Sequence, residues 1–95
     1  MSITRPIVME IDLKNFHHNI NSIRNIIGQN VTIMPVIKAN AYGIGLEAAV
    51  GALSGTVDFF ACACLKEAVN IRLWDKDTPI LILGYVAPYD YNFVI

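Results

Sequence analysis

Val36-Ile37-Lys38-Ala39-Asn40-Ala41-Tyr42-Gly43-Ile44-Gly45 is the stretch on which the reading of the fold turns. It starts at the end of an apolar run, Val31 to Ile37, that is β-branched and free of charge, which predicts a short buried strand. The run stops on Lys38, passes through small residues and two glycines, and enters a helix-like segment at Leu46. α/β barrels place their chemistry at the carboxyl ends of their strands, where Lys38 falls. Partial desolvation there favours the neutral amine, a nucleophile or base. Tyr42 lies four residues on, and Gly43 and Gly45 let the backbone approach a bound group such as a phosphate closely. The plain alternative is a solvated strand end followed by an ordinary glycine turn.

Outward from this stretch the pattern alternates. A helix is expected from about Leu46 to Leu53, with Leu46, Ala49, Val50 and Leu53 inward, weakened by Gly51 and ended by Ser54-Gly55. Val57 to Cys62 reads as the next strand. Leu65, Ala68, Val69 and Leu73 mark a further amphipathic helix, closed by Asp75-Lys76-Asp77. Thr78-Pro79 leads into the strand Ile80 to Leu83, which stops at Gly84. On the other side, Ile7 to Ile11 reads as a strand, and Asp12 as the N-cap of a helix beginning near Leu13. Leu13, Phe16, Ile20, Ile23 and Ile27 form its apolar face, and Gly28 its stop. Three apolar strands separated by two helical stretches predict βαβαβ with parallel strands, recurring roughly every 20 to 26 residues as barrel units do.

Composition narrows the function classes. Charged residues are 16% of the 95, against about 25% in ordinary soluble domains, apolar residues are 55%, and the mean hydropathy is +0.49. Such a chain has more apolar surface than one small domain covers easily, so it reads as the inside of something larger. A net charge of −1 offers no footprint for nucleic acid or an anionic membrane. No apolar run reaches the roughly 20 residues of a membrane span, and no secretory signal is expected. Cys62 and Cys64, one residue apart, have neither zinc-knuckle nor redox spacing and are expected to share one strand face as small core residues in a reduced, cytoplasmic setting. His17 and His18 are adjacent, point to different sides of their helix, and form no metal site.

A free amine pairs naturally with a carbonyl, and the aldehyde of pyridoxal 5'-phosphate condenses with lysine as a Schiff base. The string Ile37-Lys38-Ala39-Asn40-Ala41-Tyr42-Gly43 resembles the cofactor-lysine signature of alanine racemases, which continues there as histidine-glycine; Ile44 stands in place of that histidine and Gly45 is retained. The likeness extends from Arg5-Pro6 and Glu10-Ile11-Asp12-Leu13, through His18-Asn19, Phe60-Ala61-Cys62-Ala63 and Leu65-Lys66-Glu67-Ala68, to Pro79–Gly84. The resemblance implies an incomplete, N-terminal part of a pyridoxal-phosphate barrel over residues 1–95, a partial TIM-type (β/α)8 barrel of about the first three βα units. It implies Lys38 as the cofactor lysine and one of two racemising bases, Tyr42 as a contact to the cofactor phosphate, and Leu83 as a contact to its ring. It further implies alanine as substrate, D-alanine for peptidoglycan precursors as product, and a homodimer whose partner subunit supplies a tyrosine as second base. Tyr85, Tyr89 and Tyr91 do not fall at that tyrosine's place. The alternatives are a truncated, non-catalytic pyridoxal-phosphate binder and another amino-acid racemase of the same fold, such as one for serine. By itself the 95-residue chain is expected to be inactive.

Overall fold

Three extended segments lie side by side in the computed structural model, which describes residues 6–95. β1 (Phe60–Cys62) pairs in parallel with β2 (Ile80–Ile82), Phe60 opposite Ile80 and Cys62 opposite Ile82. On the other side of β1, Val36 forms a parallel bridge with Ala61. Ile37 N–H donates to Ala61 O at 2.9 Å, and Ala61 N–H to Pro35 O at 3.0 Å. The run expected as a strand from Val31 is thus a regular ladder only at its end, because Pro35 has no N–H to give. Its two faces also differ, contrary to the expectation of a run buried throughout. Ile33 and Ile37 are buried while Met34 and Val36 are exposed, the period-2 alternation of a segment covered on one side, and Val31, on the buried parity, lies exposed at its start.

The helices cover that side. α1 (Lys14–Ile27) begins one residue later than expected, and Asp12 still acts at its start by accepting Lys14 N–H on Oδ1 at 3.0 Å. α1 docks through Phe16 and Ile20, and none of its residues is fully buried. Its C-terminal end is fastened by Arg24, which donates to Val31 O at 2.6 Å and to Asp58 Oδ2 at 3.0 Å. The same Asp58 oxygen accepts Ile33 N–H at 2.8 Å. α3 (Leu46–Leu53) has the expected bounds and buries Ala49, Val50 and Leu53. α4 (Leu65–Arg72) buries Ala68 and Ile71. Val69 and Leu73, expected inward, are exposed, because Ile71 rather than Val69 continues the face that Ala68 starts. These residues close one core with Ile37, Ala41, Phe60 and Cys62. Full burial of Phe60, Ile71 and Val50 is worth about 1.5–3 kcal/mol each.

Asp75 joins the far end of this core. It accepts Ser54 Oγ–H and Thr78 Oγ1–H, both at 2.5 Å, and the Thr78 and Asp77 N–H groups, so the end of α3 and the approach to β2 share one carboxylate.

Other expectations shift. Ile7 to Ile11 forms no strand, since no described segment lies alongside to pair with it, and Ile7, Val8 and Met9 are exposed. Arg5 lies outside the described residues. Cys62 is a buried core residue as expected, but Cys64 is exposed, because the strand ends at Cys62 and Cys64 serves as the residue preceding α4. A 3-10 turn (Pro88–Asp90) and a short helix α5 (Tyr91–Val94) follow β2. Among the described residues no helix is long and apolar enough to cross a membrane, and no group of His, Cys, Asp and Glu could hold a metal.

Candidate active site at the strand ends

The parallel register sets the site. Val36, Ala61 and Leu81 stand in one row across the three segments, and Lys38, Ala63 and Leu83 each follow two residues on, where the chain leaves the regular strands at their carboxyl ends. Leu83 N–H donates to Cys62 O at 2.8 Å and Gly84 N–H to Ala63 O at 3.1 Å, so β1 and β2 stay hydrogen-bonded just beyond the regular strands. Lys38 is half-buried, Tyr42 and Leu83 are exposed, and Tyr85, Tyr89 and Tyr91 lie farther along on open surface.

Between Lys38 and Tyr42 the chain does something the sequence did not announce. The segment α2 (Lys38–Tyr42) is a left-handed turn: Ala39, Asn40, Ala41 and Tyr42 have φ of 52°, 57°, 56° and 56°. Left-handed backbone costs about 1–2 kcal/mol for each residue with a Cβ, so four in succession need firm support. Gly43 and Gly45 follow at φ 89° and 112°, which only glycine adopts easily, and a Cβ at either would meet nothing within 4 Å. Among the protein's own atoms, their role is torsional.

Three fastenings hold the turn. The Ala41 methyl is buried in the core. Asn40 Oδ1 accepts Leu46 N–H at 2.8 Å, capping α3 in place of the side chain that Gly45 lacks. Glu67, on the first turn of α4, accepts Ala39 N–H on Oε2 at 2.9 Å and Ala63 N–H on Oε1 at 2.6 Å. The Ala39 N–H does most to hold the Glu67 carboxyl below its ordinary range, followed by Ala63 N–H; burial opposes them, and Cys64 N–H and the Lys38 charge add to the lowering. Burial, and then the Glu67 charge, push the Cys62 thiol up, so it stays protonated.

Sequence reasoning singled out Lys38 and Tyr42 and missed Asn40 and Glu67 as supports of the turn between them. A signal for Glu67 was present: it is the third residue of α4, the place from which a capping-box glutamate reaches back across a helix start. The Lys38 and Tyr42 side chains themselves are uncommitted. Among the described residues the one ion pair is Arg24–Asp58, and neither Lys38 Nζ nor the Tyr42 hydroxyl makes a hydrogen bond. Ile44, at the place of the resembled family's histidine, packs partly buried against the core. It lines an apolar hollow of about 190 Å³ with Phe16, Ile20, Ile37, Tyr42 and Leu53.

The model of one family, described as the N-terminal domain of alanine racemase, matches residues 11–95. An amino-acid racemase of Enterococcus faecalis is 45% identical over 84 residues, 87% of this chain and 12% of its own length. An alanine racemase 2 of Caldanaerobacter subterraneus subsp. tengcongensis is 40% identical over 82 residues, 85% of this chain and 21% of its own. The solved alanine racemase of Clostridium difficile 630 superposes with a TM-score of 0.86 at 36% identity, covering 99% of this chain and 26% of that one. Its complex with cycloserine superposes at 0.85. The chain thus spans about a quarter or less of the length of the proteins it matches.

Proposed function

The chain belongs to the alanine racemase N-terminal domain family, and on that premise we propose that it supplies the cofactor-binding strand ends of a pyridoxal-phosphate-dependent amino-acid racemase. Its three parallel segments are the opening of a (β/α)8 barrel, and the remaining strands of that barrel complete the site. The observation that carries this reading is the uncommitted Lys38 amine at the end of a strand, one turn before an uncommitted tyrosine hydroxyl.

The donor set suits the cofactor. A primary amine without an ion pair, among the described residues, is free to bind an aldehyde covalently, and an exposed phenol suits a phosphate oxygen. Bound there, the cofactor supplies an electron sink that acidifies the α-proton of an amino acid. Lys38 Nζ would hold the cofactor by its aldehyde and would serve as the base that takes or returns that proton on one face. Tyr42 would donate its O–H to the phosphate and so fix the cofactor's far end. Inversion needs a second base on the opposite face, since one amine cannot easily reach both; it comes from outside these residues, in a homodimer from the partner subunit. The substrate is alanine, the product D-alanine for peptidoglycan, and the setting cytoplasmic.

The test uses a chimera in which this chain replaces the matching quarter of the Clostridium difficile 630 enzyme. After addition of pyridoxal phosphate and reduction with borohydride, mass spectrometry should find the cofactor on Lys38, and the chimera should racemise alanine faster than serine. Lys38→Ala should lose both the label and the activity. Tyr42→Phe should weaken cofactor retention about tenfold, the worth of a hydrogen bond to a charged group. Label and activity both kept in Lys38→Ala would overturn the assignment.

A further inference from the structure

The amide N–H groups of Ala39 and Ala63 share one acceptor. Ala39 opens the left-handed turn and directly follows Lys38; Ala63 directly follows β1, the strand that Val36 bridges. Neither N–H has a backbone partner among the described residues, and both donate to the Glu67 carboxylate, at 2.9 and 2.6 Å. A carboxylate accepts on both oxygens at once, and hydrogen bonds to it are shorter and stronger than neutral ones. Glu67 is itself held in place, because the next residue, Ala68, is buried in the core, as is Ile71 one turn further on.

We propose that Glu67 is a positioning residue for Lys38: its carboxylate ties the loop carrying the lysine to the end of the neighbouring strand and keeps the left-handed turn closed. This rests on the reading of Lys38 as the cofactor lysine and deepens it. Side-chain chemistry narrows the choice at this position. Glutamine offers one acceptor oxygen, and its NH2 would face one of the two N–H donors. Aspartate keeps the charge but is one carbon shorter, too short to span both amides from the same helix. A glutamate here also sets a negative charge beside the Lys38 ammonium without pairing with it, since no salt bridge joins them. Lys38 and Cys62 are the ionisable groups that act on Glu67 or are acted on by it.

The experiment has a cofactor-free arm and a cofactor arm. In the full chain, hydrogen exchange at the Ala39 and Ala63 amides is compared between the native sequence, Glu67→Gln and Glu67→Asp. Exchange at Ala39 should speed up about tenfold or more in Glu67→Gln, the loss of a hydrogen bond to a charged group, with Glu67→Asp in between. In the native chain, protection at Ala39 should fade as the pH falls below 4.5, the ordinary glutamate value, and Glu67→Gln should show no such step. In the chimera, the pyridoxal phosphate dissociation constant should rise about tenfold in Glu67→Gln. Unchanged exchange at both amides overturns the clamp. Faster exchange with an unchanged dissociation constant overturns the positioning role, leaving a structural tie. If Lys38→Ala binds the cofactor as tightly as the native chimera, the assignment of Lys38 fails while the exchange result still decides the clamp.

Discussion

Replacing Gly84 with alanine should strain the row of strand ends from the side opposite Lys38. A Cβ built at Gly84 would lie 2.4 Å from Ala63 O, about 1 Å inside ordinary contact, and the atom it meets is backbone and cannot swing aside. That oxygen also accepts Gly84 N–H at 3.1 Å, so a 1 Å retreat breaks the bond, and the Leu83 N–H bond to Cys62 O at 2.8 Å is drawn along with it. One or two lost hydrogen bonds at about 1 kcal/mol each, with about 1–3 kcal/mol of overpacking, outweigh the 0.4–1 kcal/mol that a stiffer unfolded chain returns. The net loss lies between about 1 and 4.6 kcal/mol, centred on about 3 kcal/mol. At 1.36 kcal/mol per decade, native-state hydrogen exchange at the Leu83 and Gly84 amides should accelerate at least about fivefold, and roughly 100-fold at the central value, in Gly84→Ala. Because Ala63 N–H is held by Glu67, protection at Ala39 should fall as well, by a smaller factor. Equal or greater protection at Leu83 in the variant would refute the steric reasoning. A loss confined to Leu83 and Gly84, with Ala39 untouched, would sever the link from Gly84 to the Lys38 loop.

Two further outcomes follow from the ionisable groups. Asp75 is held well below the usual carboxylate range: burial, the largest single influence, pushes it up, but the Ser54 and Thr78 hydroxyls and the Thr78 and Asp77 N–H groups together outweigh it. A depressed folded value means that its contribution is complete above pH 3.8 and lost only as the pH falls through the lower folded value. Trp74 emission should therefore hold steady down to about that pH and change at pH 7 in Asp75→Asn; unaltered emission in that variant would count against the tie. The thiols should separate by exposure, Cys64 being alkylated in the native chain and Cys62 only after urea. Faster labelling of Cys62 would contradict its burial.

How much could be read in advance divides along physical lines. Local signals carried α3 to the residue and the starts of α4 and β2, since caps, breakers and apolar spacing act over a few positions. Lys38 and Tyr42 stand out as candidates because their string is specific. Burial phase was not, as Val69 and Leu73 show: which face of α4 turns inward depends on what the neighbouring sheet offers. The loss of a strand at Ile7 to Ile11 has the same origin, because a strand exists only beside a partner. The left-handed turn was hidden more deeply. Alanine and tyrosine disfavour that conformation, so no local preference announces four such residues in succession, and tertiary contacts impose it.

The imposition follows a division of labour. A right-handed continuation from Lys38 would satisfy Ala39 to Tyr42 locally and free Glu67, Asn40 and the Ala41 pocket of their tasks. The chain instead holds costly torsions through contacts made by residues other than Lys38 and Tyr42: a buried methyl, an amide oxygen on the start of α3 and a carboxylate on two amides. One helical turn takes about 3.6 residues, so positions 38 and 42 begin and end the same turn. Their side chains take no part in holding it. A site that binds a ligand covalently needs such a separation, because an amine already hydrogen-bonded within the protein would first have to break that bond. Strain located between Lys38 and Tyr42 and over-determined from below is how a rigid scaffold keeps both side chains fixed and free. Ile44 completes the support by packing against the core, beside an apolar hollow where a polar ring would have needed a partner of its own.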